Sequence, residues 1–146
     1  MSDRFLLDTN VLSEFNRTGK PDENVRQWLD AVAPESLFVS IITVAEIQFG
    51  IELLAPGKRR TQLEQWMDRD FDSWFAGKIL LLDTDIVKRW AVLSAKRQRE
   101  GQPLAQFDGL IAATALKHGL TLVTRDVGDF RDLGVPHFNP WDARSS

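Results

Sequence analysis

The sequence predicts an α/β fold in which helices cover both faces of a mostly parallel sheet. Short apolar runs of strand length alternate along the chain with longer segments of helical pattern. Such alternation is typical of parallel strands joined by crossover helices. The length of 146 residues also suits one domain with its own core. We therefore expect a single domain, with no linker that divides it.

Five apolar runs are the expected strands, and five helical segments lie between or beside them. The expected strands cover residues 4–8, 37–41, 79–83, 121–124 and, as a short edge strand, 137–138. The expected helices cover about residues 22–32, 43–54, 58–76, 84–100 and 106–118. Gly57, Gly101 and Gly119 mark ends of these segments, because glycine commonly stops a helix.

The composition restricts a metal site mainly to oxygen ligands. The chain has no cysteine and two histidines, whereas a structural zinc site needs about four nitrogen or sulfur ligands. Carboxylate oxygens favour magnesium or manganese instead. The net charge of −3, from 18 basic and 21 acidic residues, differs from that of a strongly basic nucleic-acid-binding protein. A nuclease remains compatible with it, since an acidic centre offsets a basic rim.

The hydropathy of the chain predicts a cytoplasmic protein. The N-terminal segment MSDRFLLDTN lacks a basic region followed by a long apolar stretch and a cleavage site. No apolar run approaches the ~20 residues that span a membrane. We therefore expect a soluble cytoplasmic protein without membrane contact.

Acidic residues follow three of the predicted strands. Asp8 ends the first strand, and Asp126 follows the fourth, with Asp129 shortly after it. Ligands of open parallel sheets bind beyond the carboxyl ends of the strands, so these acids are candidate site residues. Helix capping for Asp8 and local turn hydrogen bonds for the other two are the alternatives. Capping alone explains Asp83 and Asp85, which follow the third strand.

Two more acids lie on helix faces that the spacing predicts to be apolar. Glu46 shares its face with Ile42, Phe49, Gly50 and Leu53, and Asp108 shares its face with Ile111, Ala112 and Ala115. A carboxylate on such a face must be paired, protonated or bound to metal, because an unpaired buried charge is very costly. An ion pair with an arginine is the alternative explanation, and for Asp108 so is its favourable place near a helix start.

Together the four positions predict a metal centre. If the strands are parallel, two strand ends and two helix faces converge on one cleft. Crowded carboxylates raise one another's pKa unless a cation intervenes, and a hard divalent cation resolves that conflict. Such a centre suits phosphodiester hydrolysis. A magnesium-dependent phosphatase or a phospho-receiver domain, with an Asp as nucleophile or acceptor, fits the same acids.

Five short segments closely resemble motifs of PIN-domain proteins, and most nearly those of VapC-type toxins from bacterial toxin–antitoxin pairs. They are Leu6-Leu-Asp-Thr-Asn10, Thr43-Val-Ala-Glu46, Phe107-Asp-Gly-Leu-Ile-Ala112, Leu122-Val-Thr-Arg-Asp126 and Phe138-Asn-Pro-Trp141. The resemblance covers nearly the whole chain. It implies a three-layer α/β/α sandwich, formed as a single domain by residues 1–141, with a short frayed tail at residues 142–146.

The resemblance also implies a metal-dependent endoribonuclease. The family's four acidic positions match Asp8, Glu46, Asp108 and Asp126. Asp8 and Asp108 would hold magnesium or manganese together with Asp126, and Glu46 or Asp126 would orient or deprotonate the attacking water. The matched polar positions that support the site are Asn10 and Thr124. Many relatives carry Asn at the position of Asp126, so Asp129 competes for a supporting role.

The partners implied by the resemblance are RNA, a cognate antitoxin and a second copy of the chain. Operator DNA would be contacted only through the antitoxin complex. A non-catalytic binding subunit of such a complex is the remaining alternative, although such a subunit would not need the acids.

Two groups of side chains have both a functional and a structural interpretation. Aromatic residues that fit a core better than an interface are Trp28, Trp66, Phe71, Trp74 and Phe75. Basic residues that fit an RNA path and a solvated helix face equally well are Lys58, Arg59, Arg60, Lys96, Arg97 and Arg99.

Overall fold

The structure, a computed structural model, describes residues 3–14, 16 and 19–142. Its strands are β1 (Phe5–Leu7), β2 (Leu37–Ser40), β3 (Ile79–Leu80), β4 (Thr121–Val123) and β5 (His137–Phe138). Its α-helices are α1 (Thr9–Glu14), α2 (Glu23–Ala31), α3 (Ile41–Glu52), α4 (Lys58–Trp66), α5 (Asp72–Trp74), α6 (Thr84–Arg99) and α7 (Gln106–His118). None of these helices is long and apolar enough to cross a membrane. Residues 143–146 of the expected tail lie outside the described residues.

The five strands form one sheet in the order β3-β2-β1-β4-β5. Every pairing between these strands is parallel, which confirms the predicted parallel sheet. The central strand β1 is buried on both faces, since Leu6 and Leu7 are 0% and 1% exposed and neighbouring side chains of a strand point to opposite faces. Leu6 belongs to a core with residues of α7, and Leu7 to a second core with residues of α2 and α4. Helices therefore cover both faces, and the three-layer sandwich is confirmed.

Four of the five strands end earlier than the apolar runs predict, and β5 has the predicted bounds. The largest difference is at β3, which ends at Leu80, while Leu81 is 67% exposed and lies outside the sheet. Helix α3 begins at Ile41 instead of residue 43, because the Ser40 side chain accepts a hydrogen bond of 3.0 Å from the Ile42 amide. Helix α1 begins directly after β1, although its six residues were not among the expected helices.

The expected helix at residues 58–76 contains three segments. Helix α4 ends at Trp66 and is followed by a π-helical turn over Met67–Phe71 and then by α5. The predicted core role of the aromatic residues is confirmed for Trp28, Trp66, Phe71 and Phe75, which are buried. It is wrong for Trp74, which is 48% exposed.

Asp83 and a glycine on α7 fix the packing of α6 against α7. The Asp83 carboxylate accepts a hydrogen bond of 2.9 Å from the Ile86 amide at the start of α6 and contacts the ammonium of Lys117 on α7. The predicted capping role of Asp83 is thereby confirmed. Gly109 lies against Trp90 of α6, where a Cβ atom would approach Cδ1 of the indole to 2.8 Å. The glycine therefore permits the close contact between the two helices.

Candidate active site

Asp8 and Thr124 lie side by side because β1 and β4 are neighbouring parallel strands. Leu7 pairs with Val123 in the ladder, and the Asp8 amide donates to the Val123 carbonyl at 2.9 Å. The Thr124 hydroxyl donates a 2.8 Å hydrogen bond to Oδ2 of Asp8. Thr124 is 0% exposed and Asp8 is 6% exposed. A buried carboxylate thus stands at the carboxyl edge of the sheet, where the sequence analysis placed it.

Thr9 joins Asp8 to Glu46. Its amide donates to Oδ1 of Asp8 at 2.8 Å, and its hydroxyl donates to Oε1 of Glu46 at 2.8 Å. The sequence analysis included Thr9 in a motif but gave it no role. Thr9 thus connects a strand-end acid with a helix acid, and because Thr9 and Glu46 are 37 residues apart, the contact depends on tertiary structure.

Asn10 joins the strand-end turn to the same cluster. Its side-chain Nδ2 donates to Oδ2 of Asp126 at 3.1 Å and to the hydroxyl of Thr124 at 3.5 Å. Its Oδ1 accepts from the Arg125 amide at 3.3 Å. The Asp126 amide donates to the Thr124 hydroxyl at 3.0 Å. Asn10 and Thr124 therefore orient Asp8 and Asp126 relative to one another.

Asp108 lies in the first turn of α7 and contacts no counter-ion among the described residues. Among the described residues its carboxylate forms neither a hydrogen bond nor an ion pair, so the ion-pair alternative fails for this acid. The pKa of Asp108 is raised to about 6, mainly by burial and in addition by the charges of four other acids. Those acids, in decreasing order of effect, are Asp8, Asp129, Glu46 and Asp126.

The pKa values of Asp8 and Glu46 are raised as well. Burial is the main cause for Asp8, hydrogen bonds from Thr124 and Thr9 oppose it, and the charges of Asp126 and Asp129 add to it. Burial is also the main cause for Glu46, where the Thr9 hydrogen bond opposes it and the charge of Asp8 adds to it. The cluster therefore holds negative charge that its own hydrogen bonds do not compensate.

Asp126 lines the cleft and Asp129 does not. Asp129 lies on the 3₁₀ helix Val127–Phe130 with an exposed side chain, and its amide donates to the Asp126 carbonyl at 3.0 Å. Its charge nevertheless reaches Asp8 and Asp108. The structure thus brings all the candidate acids to one end of the sheet. Asp129 lies next to Asp126 but outside the lining of the cleft.

The acids border an open cleft of ≈ 540 Å³. Its lining residues are Asp8, Thr9, Asn10, Ser13, Glu14, Glu46, Asp108, Arg125, Asp126 and Trp141. The sequence analysis assigned no role to Glu14, whose buried carboxylate accepts from the Asp22 amide at 2.6 Å. It also assigned none to Arg125, whose guanidinium lies 4.9 Å from the ring centre of Trp141.

The predicted surroundings of Glu46 are partly wrong. Ile42 is buried, but Phe49 and Leu53 on the same helix face are 66% and 71% exposed. Helix α3 packs in the core through another face, on which Ile51 is 2% exposed, while the half-buried Glu46 lines the cleft. The predicted surroundings of Asp108 are confirmed, since its face neighbours on α7 are buried.

The oxygen ligands of the cleft fit a hard divalent cation in kind and in charge. In the described ranges no group of three acidic or histidine side chains already stands in an arrangement that holds a metal ion. The carboxylates would therefore have to draw together around a cation. The raised pKa of Asp108 indicates that a positive charge at this place would relieve their repulsion.

None of the six predicted basic residues lines the acidic cleft. Arg59 borders a neighbouring cavity of ≈ 180 Å³ that shares Thr9 and Glu46 with the cleft. Arg60 pairs with Glu52 at 2.8 Å, and Lys96 pairs with Glu100 at 3.5 Å. Their role in an RNA path stays a prediction.

Comparisons with known proteins agree with the geometry. The family model of the PIN domain matches residues 5–135. The toxin FitB of Neisseria gonorrhoeae is 42% identical over 93% of this chain and 97% of its own length. The VapC ribonuclease Y4jK of Sinorhizobium fredii is 39% identical over 94% of this chain and 97% of its own. A solved structure of FitAB bound to the IR36 DNA fragment superposes with a TM-score of 0.89 at 40% identity, covering 97% of this chain and 98% of the matched chain.

Proposed function

The chain belongs to the PIN domain family, and from that premise we propose that it is an endoribonuclease that acts as the toxin of a type II toxin–antitoxin pair. The observation that carries the proposal is the group of acids at one cleft, of which Asp8 is buried and Asp108 has a pKa raised to about 6. A similar chain is named a ribonuclease and another a toxin.

We assign the metal-binding role to Asp8, Asp108 and Asp126. Their oxygens are suited to Mg²⁺, with Mn²⁺ as the alternative. When bound, such an ion lowers the pKa of water and stabilises negative charge on a phosphate. The hydrogen bonds from Thr9 and Thr124 fix the rotamer of Asp8 before an ion arrives, and Asn10 does the same for Asp126.

Glu46 and Asp126 are the candidate general bases. Burial and the charge of Asp8 raise the pKa of Glu46, which brings its proton affinity closer to that needed for accepting a proton at neutral pH. The Thr9 hydroxyl occupies Oε1 of Glu46 and leaves the second carboxylate oxygen for a water molecule. Asp126 is exposed and is oriented by Asn10. No covalent intermediate is required.

The proposed partners are an antitoxin, a second copy of the chain and, through the antitoxin, operator DNA. The FitAB complex bound to DNA supports this proposal. Exposed apolar side chains on three helices offer surface for protein contacts: Phe49, Leu53, Val92 and Phe107. We also propose a cytoplasmic location, which RNA as substrate supports.

We also propose that the functional domain extends to Trp141, beyond the end of the matched region. Asn24 of α2 donates a 2.8 Å hydrogen bond to the Trp141 carbonyl, and the Trp141 side chain lines the cleft. Strand β5, which completes the sheet, likewise lies after residue 135.

A cleavage assay with matched variants tests the proposal. Purified protein without antitoxin is incubated with total RNA in Mg²⁺, in Mn²⁺ and in chelator, beside Asp8→Asn. Asp85→Asn is the control, because Asp85 is an exposed acid that pairs with Arg89 at 3.1 Å on α6. We expect discrete fragments with metal from the wild type and from Asp85→Asn only. Intact RNA in every lane from folded protein would favour the binding-subunit alternative, and a stable aspartyl phosphate would favour the phosphatase alternative.

A further inference from the structure

A polyanion that enters the cleft meets strong negative charge. The acids that line the cleft are Asp8, Glu14, Glu46, Asp108 and Asp126. Arg125 is the basic residue among the lining residues that the structure describes. It stands in sequence between Thr124, which binds Asp8, and Asp126, which binds Asn10. A cation is therefore built into the turn that carries the acids.

The aromatic ring of Trp141 holds the Arg125 side chain in place. The guanidinium carbon lies 4.9 Å from the ring centre, a distance typical of a cation–π contact. The Arg125 amide donates to Oδ1 of Asn10 at 3.3 Å, which fixes its backbone beside the acids. An arginine stacked on an aromatic ring keeps its in-plane N–H groups available for the oxygens of a phosphate.

The guanidinium N–H groups of Arg125 have no hydrogen-bond partner in the described part of the chain. The side chain is exposed and forms no ion pair or hydrogen bond there, in spite of the nearby acids. Two arginines outside the cleft show what such a pairing looks like: Arg26 pairs with Glu23 and Asp30, and Arg89 pairs with Asp85. Arg125 thus has guanidinium donors that no hydrogen bond or ion pair among the described residues uses.

A purely structural role explains this contact less well. Trp141 is already held by a hydrogen bond from its amide to Oδ1 of Asn139 at 2.9 Å and by the bond from Asn24 to its carbonyl at 2.8 Å. Its ring also packs against the core that contains Leu7 and Trp28. Trp141 therefore needs no cation to stay in place, whereas Arg125 needs the ring to keep one orientation.

We propose that Arg125 binds a phosphate of the RNA strand next to the one that is cleaved, and that Trp141 is the positioning residue for Arg125. The inference rests on the proposed ribonuclease function, and it names the residue that draws a polyanion into an acidic site. The phosphate contact offsets repulsion by the carboxylates and sets the register of the strand across Asp8 and Asp108.

RNA binding in a cleavage-deficient background tests the contact directly. Full-length Asp8→Asn protein is titrated against labelled single-stranded RNA by fluorescence anisotropy at several salt concentrations. Arg125→Ala is expected to raise Kd about tenfold and to reduce the slope of log K against log salt by about 0.7, the value for one phosphate contact on a single strand. Arg89→Ala removes an equal charge outside the cleft and is expected to leave the slope unchanged. An unchanged Kd and slope in Arg125→Ala would overturn the proposal.

A double-mutant cycle tests the role of Trp141. Trp141→Leu is expected to weaken RNA binding when Arg125 is present and to have little effect in Arg125→Ala, because the two residues act through one contact. Trp141→Phe keeps an aromatic ring and is expected to lose less affinity, and it replaces Trp141→Leu if that variant does not fold. An equal loss with and without Arg125 would contradict positioning through Arg125.

The experiments distinguish an error in the proposed ribonuclease function from an error in the inference about Arg125. If the wild type cleaves the RNA with metal but Arg125→Ala binds it as tightly as the parent protein does, only the inference about Arg125 is wrong. If the folded wild type leaves the RNA intact with metal, the proposed function is wrong. A reduced salt slope in Arg125→Ala would then still support the phosphate contact.

Discussion

The hydroxyl of Thr124 donates a 2.8 Å hydrogen bond to Oδ2 of Asp8, and both residues are buried. The same hydroxyl accepts from the Asp126 amide at 3.0 Å. One side chain thereby fixes the strand-end acid and the turn that follows the neighbouring strand. Because Thr124 and Asp8 come from paired parallel strands, their alignment follows directly from the register of the sheet.

Replacing Thr124 by Val keeps the shape of the side chain and removes its hydrogen bonds. We expect Thr124→Val to destabilise the protein by about 1–3 kcal/mol, since it leaves buried polar groups without a partner. Cleavage is expected to fall by about 10- to 100-fold, as is usual when the partner of a metal ligand is lost. Thermal unfolding and RNA cleavage rates measure the two effects. Thr124→Ser, which keeps the hydroxyl, is the control, and equal losses in both variants would argue against the hydrogen bond as the cause.

Neutralising Asp108 is expected to stabilise the metal-free fold. The pKa of Asp108 is raised from 3.8 to about 6, so its ionised form is unfavourable in the folded protein at neutral pH. In chelator, and after allowance for solvent screening, we expect Asp108→Asn to increase the free energy of unfolding by about 1 kcal/mol. Its melting temperature is expected to rise by about 3 °C. The same variant is expected to lose RNA cleavage. A lower melting temperature in chelator would contradict the electrostatic account of this site.

The pH dependence of stability is a separate consequence of the raised pKa. When the pH falls through about 6, folded Asp108 takes up a proton that the unfolded chain accepts only near 3.8. The metal-free wild type should therefore gain stability relative to Asp108→Asn as the pH falls from about 7 to about 4, and the difference between them should shrink. Melting temperatures of both proteins in chelator measure this. A difference that stays constant with pH would show that Asp108 does not titrate in this range.

Two helical glycines are expected to respond oppositely to alanine. At Gly50 of α3 a Cβ atom would have no neighbour within 4 Å, so Gly50→Ala should gain about 1 kcal/mol of helix propensity. At Gly109 a Cβ atom would lie 2.8 Å from Cδ1 of Trp90 and 3.1 Å from Cδ2 of Leu104. Gly109→Ala should lose about 1–3 kcal/mol through overpacking. Denaturant unfolding measures the change in the free energy of unfolding for each variant. Stabilisation by Gly109→Ala would contradict the described packing of α6 on α7.

Binding of a divalent ion should appear in stability as well as in activity. A ligand that binds only the folded state raises the melting temperature in proportion to the logarithm of its excess over Kd. Mg²⁺ or Mn²⁺ is expected to raise the melting temperature of the wild type and of Asp85→Asn, and to leave that of Asp108→Asn nearly unchanged. Equal shifts in all three proteins would place the bound ion outside the acidic cleft.

The sequence predicted the strands and the larger helices because apolar runs and helical spacing report burial directly. It included a helix after Asp8 only in the capping alternative for that residue and gave α1 no bounds, because six residues are too few to show a helical period. It extended β3 too far, since a run of leucines does not show where a strand leaves the sheet. The exposure of Phe49 and Leu53 was missed for a related reason. Spacing shows which residues share a helix face, and tertiary packing decides whether that face is covered.

The candidate acids were predictable because a carboxylate at a strand end or on an apolar face is unusual. Thr9 and Arg125 were not, since a threonine at a helix start and an arginine in a turn are ordinary residues. Thr9 acquires its role by reaching Glu46 on another helix. Arg125 acquires its own by stacking on Trp141 near the end of the described chain. Both contacts join residues that are distant in sequence and appear only once the sheet is assembled.

The cleavage rate of a defined single-stranded RNA, measured in Mg²⁺ for the wild type, Asp8→Asn and Asp85→Asn, tests the central claim most directly. The account predicts metal-dependent cleavage by the wild type and Asp85→Asn, and a loss of at least about 100-fold in folded Asp8→Asn. Full activity in Asp8→Asn, or equal activity in chelator, would contradict an acidic metal centre at the end of the parallel sheet.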